Sequence, residues 1–411
     1  MTTERTFDYV IVGGGAAGSV LAARLAAESG GSVALLERGP RDTDRWIHVP
    51  ATFFKALKGG NAETVMSQPD ASLDGRPFAV PQGRVLGGGS SVNGMIYMRG
   101  QHRDYDDWAD AHGCDGWSFA DVLPVFMRQE RNMRLGAPYH GQAGRLVVAD
   151  PSAPHPVTAR IIEAAVAAGL PPTDDFNGAR QEGAGWYQVT AHDGQRQSAA
   201  HCFLAPEMGR DNLTVLTDHL ACRVRIEHRR AVAVEARTPE GAEIVLHARR
   251  EIVLTAGTFQ SPKILMLSGI GPADQLLRHG IDTVQDAPGV GANYHDHVGA
   301  PVTRRLKGAK GLHGADSGLA ALRHGFDYFV LRRGLLTSNL LQGGACADTS
   351  GDGRPDVQYN LAPFAAGAPG QPPLPFHALQ VHPMTMRPRS RGRLGLTSTN
   401  PADAPRFEAN A

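Results

Sequence analysis

Tyr9-Val10-Ile11-Val12-Gly13-Gly14-Gly15-Ala16-Ala17-Gly18 carries an apolar tetrad directly into a glycine cluster that fits G-x-G-x-x-G. Such a cluster is informative only after a strand and at the start of a helix. Here the apolar run reads as the strand, residues Ala16 to Glu28 read as the helix, and Val33-Ala34-Leu35-Leu36 reads as the next strand. In this βαβ unit Gly13 permits the tight turn, Gly15 lets a pyrophosphate approach the backbone, and Gly18 lets helix and strand pack closely. Ala16 opens the helix. Glu37 ends the second strand 19 residues beyond Gly18, where an acidic side chain can accept hydrogen bonds from an adenosine ribose. Together these features predict dinucleotide binding, and the motif by itself does not separate FAD from NAD.

The rest of the composition is compatible with a dinucleotide-binding protein. A chain of 411 residues predicts two to three domains, with ample length to bury a core. Lys and Arg total 41 against 41 Asp and Glu, so the formal charge is zero; with no long basic stretch to track a phosphate backbone, nucleic acid is excluded as an expected partner. Glycine, at 49 residues, is unusually frequent without a collagen period, and implies many tight turns or close backbone approaches to a ligand. Cys114, Cys202, Cys222 and Cys346 form no C-x-x-C pair, so neither a zinc site nor a dithiol motif is expected, and no metal is assigned. The most apolar stretch, Tyr9 to Ala27, contains the glycines and Arg24, which argues against a membrane span. Only six residues precede Phe7, leaving no room for a signal peptide, so a cytoplasmic enzyme is expected.

Working outward, Pro40 to Pro81 reads as connecting loops, with Gly59-Gly60 and Asp74-Gly75 as turns. Helices are predicted at 104–111, at 119–131 with Val122, Leu123, Val125 and Phe126 forming one buried face, and at 157–168. Alternating runs at 213–216, 222–227, 231–236 and 243–247 predict an antiparallel meander, followed by a separate buried strand Ile252-Val253-Leu254. Strands around Val357-Gln358-Tyr359 and Leu379-Gln380-Val381-His382 suggest a second antiparallel sheet, and there is no internal repeat.

Pro81 to Gly100, PQGRVLGGGSSVNGMIYMRG, gathers small residues and free backbone N–H groups into one tight segment suited to an anionic or flat ligand. This segment resembles a signature of the glucose-methanol-choline (GMC) family of flavin oxidoreductases almost position by position. A second match runs from Gly257 to Gly271, and a third covers PGVGANYHDH, Pro288 to His297. The resemblance extends from Phe7 to the last residue and is closest to the branch of choline-dehydrogenase-like and aliphatic alcohol dehydrogenases.

What the resemblance implies is a mixed α/β fold: a Rossmann-like FAD-binding domain, discontinuous over 1–50, 75–112 and 200–298, and a substrate domain over 113–199 and 299–411 built on an antiparallel sheet. It implies FAD on Gly13, Gly15, Ala16, Gly18 and Glu37, with Arg84 as a further cofactor contact and the isoalloxazine against the Gly87 to Met95 segment, including Gly87, Gly88, Ser91, Asn93, Gly94 and Met95. Ala221 would contact adenine through its backbone, and Ala256-Gly257 would close the pocket near the pyrophosphate. Some members bind FAD covalently through a histidine that aligns with Val92; valine cannot do this, so FAD is expected to be noncovalent. The implied reaction oxidises a small alcohol to an aldehyde by hydride transfer to flavin N5, with the electron acceptor unspecified. Light-driven decarboxylation of fatty acids also occurs in the family, and no residue here singles it out.

The resemblance places the family's active-site histidine, in a His-Pro-x-Gly segment, beyond the position matching Ala411, so no catalytic base is assigned to a residue. A flavin-binding chain with impaired catalysis is the alternative expectation. His382-Pro383 imitates the pair but lies in a strand-like run. His295 and His297 flank Asp296, yet two imidazoles without a clear third ligand make a poor metal site. Met95 and Met98 suggest packing, and Tyr97 is a candidate substrate contact.

Overall fold

The computed structural model describes residues 3–365, 367 and 374–410. Strand β1 (Thr3–Val12), helix α1 (Ala16–Glu28) and strand β2 (Val33–Leu36) form the expected βαβ unit. Within it, β1 pairs in parallel with β2, Tyr9 opposite Val33 and Val12 opposite Leu36. Val10, Ile11, Val33 and Leu35 are fully buried because both faces of this sheet are covered, which is why the strands read as continuous apolar runs.

Six strands make this first sheet, in the order 213–216, β2, β1, 243–254, 230–237, 220–227. The first four are mutually parallel and the last two extend the sheet as an antiparallel arm. Two expectations are corrected here. Leu213–Leu216 is not part of a meander but adds in parallel to β2, because a four-residue apolar run carries no information about its partner. Residues 243–247 and 252–254 are one unbroken strand, Glu243–Leu254. Its hydropathy breaks at Arg249-Arg250-Glu251, which are exposed, although the backbone continues along β1.

The segment read as loops, 40–81, is a third correction. Ala62–Asp70 and Arg76–Gly83 form an antiparallel hairpin, turned by Asp74 and Gly75 with φ of 54° and 74°. Asp70 pairs with Arg76, so residues 71–75 form the loop, and Asp74-Gly75 close it in the left-handed backbone that Asp and Gly tolerate. Pro69, Pro77 and Pro81 disguise the strands, and a two-stranded ribbon tolerates them because each strand has a free edge. Helix Phe119–Gln129 forms, but its expected buried face does not: only Phe119 is buried, and Val125 is 48% exposed.

A second, antiparallel sheet has the order 302–305, 378–385, 357–362, 343–347, 183–186. Helix Pro156–Ala167 packs on it. His382 lies within the strand Ala378–Thr385, opposite Asn360. The hairpin of Arg393–Gly395 with Arg406–Glu408 buries Leu394 and Phe407 against Val65, Phe259 and Tyr294, tying it to the segment 62–83 and the helix Gly257–Leu267.

The α1–β1 approach sets the geometry of the whole first sheet. A Cβ on Gly18 would lie 2.0 Å from the Gly13 carbonyl oxygen and 2.7 Å from Thr255 Oγ1. Gly18→Ala is expected to destabilise the fold by about 1–3 kcal/mol through overpacking, whereas Gly209→Ala, where a Cβ meets nothing within 4 Å, should stay within about 0.5 kcal/mol of wild type. Thermal unfolding of the two variants beside wild type checks this, and equal midpoints would contradict it.

Candidate functional site

The parallel strands β1, β2 and 243–254 end at one edge of the first sheet, and a cleft opens just beyond them, where ligands bind in open α/β sheets. Gly13, Gly15, Ala16 and Glu37 line one part of it. Gly88, Ala221, Ala256 and Gly257 close it from other segments, so eight of the expected positions converge.

Glycine at two of them follows from contact. Gly13 has a φ of 104°, and a Cβ there would sit 2.5 Å from the Thr255 carbonyl oxygen. Gly88 has a φ of 53°, and its Cβ would sit 2.8 Å from Gly15 Cα. The Gly87 N–H completes this junction by donating to the Gly14 carbonyl at 2.7 Å. The backbones of the two glycine segments therefore touch directly.

Helix α1 enters the cleft without a side-chain cap and without an acidic residue in its first turn. Its free N–H groups and the positive end of its dipole thus favour an anion. Glu37 sits nearby with both carboxylate oxygens engaged, Oε2 accepting from the Gly14 N–H and Oε1 from the Gly39 N–H, each at 2.8 Å. Burial pushes its carboxyl pKa up, and those two N–H groups offset only part of the rise. Each oxygen retains a lone pair for a further donor.

The other expected positions are not part of the cleft lining. Gly18 serves the helix–strand contact described above. Gly87 packs against Ser91 and Ala200. Ser91 Oγ donates to the Leu86 carbonyl at 2.7 Å. The Gly94 carbonyl accepts from Asn339. Met95, at a φ of 60°, buries its side chain against Val189 and Ala191. Arg84 Nε is buried without a partner, and Asn93 is exposed. Val92 is buried with Ile47, Ala56 and Val85. His295 and His297 are exposed, and among the described residues no group of three or more His, Cys, Asp or Glu could hold a metal ion.

Several lining residues were not foreseen: Arg38, Glu63, Gln82, His219, Thr255 and Gln260. Arg38 forms an ion pair with Glu63, and Gln260 Nε2 donates to the same carboxylate at 3.4 Å. His219 donates its backbone N–H to the Glu37 carbonyl at 3.0 Å. Its ring Nδ1 lies 2.6 Å from the Thr217 carbonyl, which can only accept, so Nδ1 carries the proton. Arg38 was the one available signal, following Glu37 at the strand end; the others come from scattered turns.

With this geometry in view, comparison with known proteins defines the class. A family profile described as GMC oxidoreductase matches residues 7–299. The chain is 36% identical over 408 residues to the oxygen-dependent choline dehydrogenase of Brucella anthropi, covering 98% of this chain and 73% of that protein. It is 36% identical over 414 residues to an alcohol dehydrogenase [acceptor] of Pseudomonas putida, covering 98% of this chain and 74% of that one. Among solved structures, a formate oxidase of Aspergillus oryzae matches with a TM-score of 0.92 at 25% identity, covering 100% of this chain and 78% of that chain. The chain belongs to the GMC oxidoreductase family and is an enzyme of that class.

The glycine segment is anchored at its far end by a buried ionic cluster. Arg99 Nη2 donates to Glu130 Oε2 at 2.7 Å, and its Nε donates to the Tyr97 hydroxyl at 3.3 Å, so the Tyr97 phenol is held within the protein. His140 lies 3.0 Å from Glu130 through Nδ1 and 3.0 Å from Asp175 through Nε2. Burial alone would lower the His140 pKa, but Asp175 and Glu130 outweigh it and raise the value to about 9. Burial likewise pushes Glu130 up, and the bonds from His140 and Asn132 with the charge of Arg99 bring it below the usual range. The raised His140 pKa makes its contribution to stability fully present below pH 6.5 and lost as pH rises through about 9. Wild type should therefore lose stability relative to His140→Gln between these limits, measured as the difference in melting temperature across pH. A difference that does not change with pH would contradict the assignment.

Proposed function

We propose that the cleft holds FAD noncovalently and that the enzyme oxidises a small alcohol to an aldehyde. The observation that carries this reading is the uncapped N-terminus of α1 facing the cleft beside Glu37. A diphosphate fits the free N–H groups there, and a Cβ built on Gly89 or Gly257 would meet nothing within 4 Å, so the backbone is open to a close-lying ligand. Glu37 would accept from the ribose, and Ala221 would border the adenine. Gly87 to Met95 would support the isoalloxazine. The first sheet with its flanking segments would be the cofactor domain and the second sheet the substrate domain, divided as the sequence suggested.

When bound, the flavin supplies the hydride acceptor at N5. The chain's part is to bind and orient it, and to keep the diphosphate on backbone N–H groups rather than in water. The names of the relatives, a choline dehydrogenase and an alcohol dehydrogenase, support an alcohol as substrate. Val92, packed in a core cluster, offers no side chain for covalent attachment. Four free cysteines accord with a reducing, cytoplasmic setting, and no described helix is long and apolar enough to cross a membrane.

One observation favours a second reading, a flavin-binding chain with weak catalysis. His219 is the only imidazole among the described residues lining the cleft, and it lies beside Glu37, at the proposed ribose. His382 is paired within a sheet strand. A positioned base contributes about 10²–10⁴-fold to rate, so a chain without one would react slowly.

Anaerobic mixing of the FAD-reconstituted chain with aliphatic alcohols and choline separates the readings. Bleaching of the oxidised flavin within seconds supports alcohol oxidation by this chain; bound FAD that no alcohol bleaches supports the second reading. Glu37→Ala should weaken FAD binding by about 1–3 kcal/mol, and unchanged affinity would remove Glu37 from the site. Yellow colour remaining on acid-precipitated protein would contradict noncovalent binding.

A further inference from the structure

Among the described residues Arg196 is the largest fully buried side chain, only 1% exposed, and no carboxylate among them pairs with it. It lies outside the cleft and the reading above assigns it nothing. Its guanidinium reaches the glycine segment: Nη1 donates to Asn93 Oδ1 at 2.8 Å and to the Ser90 carbonyl at 3.2 Å, and Nε donates to the Ile47 carbonyl at 2.8 Å. Nη2 is buried with no partner. Burial pushes the pKa down to about 9, which leaves the group cationic at neutral pH. Burying an unpaired cation opposes folding, so stability alone does not account for the residue.

The chemistry of the pair fixes an orientation. A guanidinium has donors and no acceptor, so the Asn93 amide must turn its oxygen toward Arg196. That oxygen also accepts from the Met95 N–H at 3.1 Å, where the backbone takes a φ of 60°. Both lone pairs of Oδ1 are then in use. Asn93 is exposed, four residues beyond Gly89 in the cleft lining, and no hydrogen bond from its NH₂ is formed among the described residues, which leaves that group free to donate.

We infer that Arg196 is a positioning residue: it locks Asn93 with its NH₂ turned outward as a donor to an acceptor on the isoalloxazine ring. The inference rests on the FAD reading above and deepens it. A hydrogen bond whose oxygen end is held by a cation is polarised toward stronger donation, so the Arg196–Asn93 pair favours added negative charge on the flavin. The same pair fixes the left-handed turn at Met95.

The test uses the full chain reconstituted with FAD and reads the affinity of sulfite for flavin N5, an equilibrium that places negative charge on the ring without any alcohol chemistry. Arg196→Met and Asn93→Ala should each weaken sulfite binding by about tenfold or more, the scale of losing one hydrogen bond. The double variant should be no weaker than the weaker single, because the arginine acts through the asparagine. Arg196→Lys should recover part of the loss. Asn93 is exposed, so its variant remains informative if Arg196→Met does not fold. FAD bound with wild-type sulfite affinity in Asn93→Ala, or fully additive losses in the double variant, would overturn the role of Arg196 while leaving the cofactor reading intact. A wild-type chain with no affinity for FAD would overturn that reading and this one with it.

Discussion

The free N–H groups at the start of α1 are the constraint on which the rest of the structure depends. Unsatisfied backbone donors at a helix terminus need an acceptor, and here neither a capping side chain nor a first-turn acid supplies one. The surrounding chain keeps that end open. Thr255 donates its backbone N–H to the Val12 carbonyl at 2.8 Å and its hydroxyl to the Gly13 carbonyl at 2.8 Å, clamping the turn from the neighbouring strand. Gly88 abuts Gly15 from the other side. Strand order, close helix packing and the second glycine segment all converge on one anion-sized opening.

Around this opening the protein places charge in two ways. Arg99, Glu130, His140 and Asp175 form a network in which each buried ion has partners, so it anchors the segment without leaving a free charge. Arg196 is buried without an opposing carboxylate among the described residues and directs its donors at Asn93 and the backbone. One device holds the segment in place, and the other orients the group it presents.

The βαβ unit was legible in the sequence because its periodicity, its glycines and its terminal acid all report local geometry. Helix Ala16–Glu28 and strand Val33–Leu36 lie where the pattern placed them. Partnership was not legible: nothing local in Leu213–Leu216 shows that it joins β2, and Arg249-Arg250-Glu251 interrupted a strand that the backbone never breaks. The cleft followed the same rule. Glycines forced by contact, Gly13 and Gly88, announced themselves, whereas His219, Glu63 and Gln260 arrive from separate turns that only the fold assembles. Arg196 carried no sequence signal, since its meaning lies in burial and in the absence of a counter-charge.

Binding titrations of FAD, ADP and riboflavin to the full chain test the central claim most directly, that backbone donors at α1 hold the cofactor by its diphosphate. The account predicts that FAD binds, that ADP competes with it, and that riboflavin, which lacks the diphosphate, binds far more weakly. Riboflavin binding as tightly as FAD, with no competition from ADP, would contradict it.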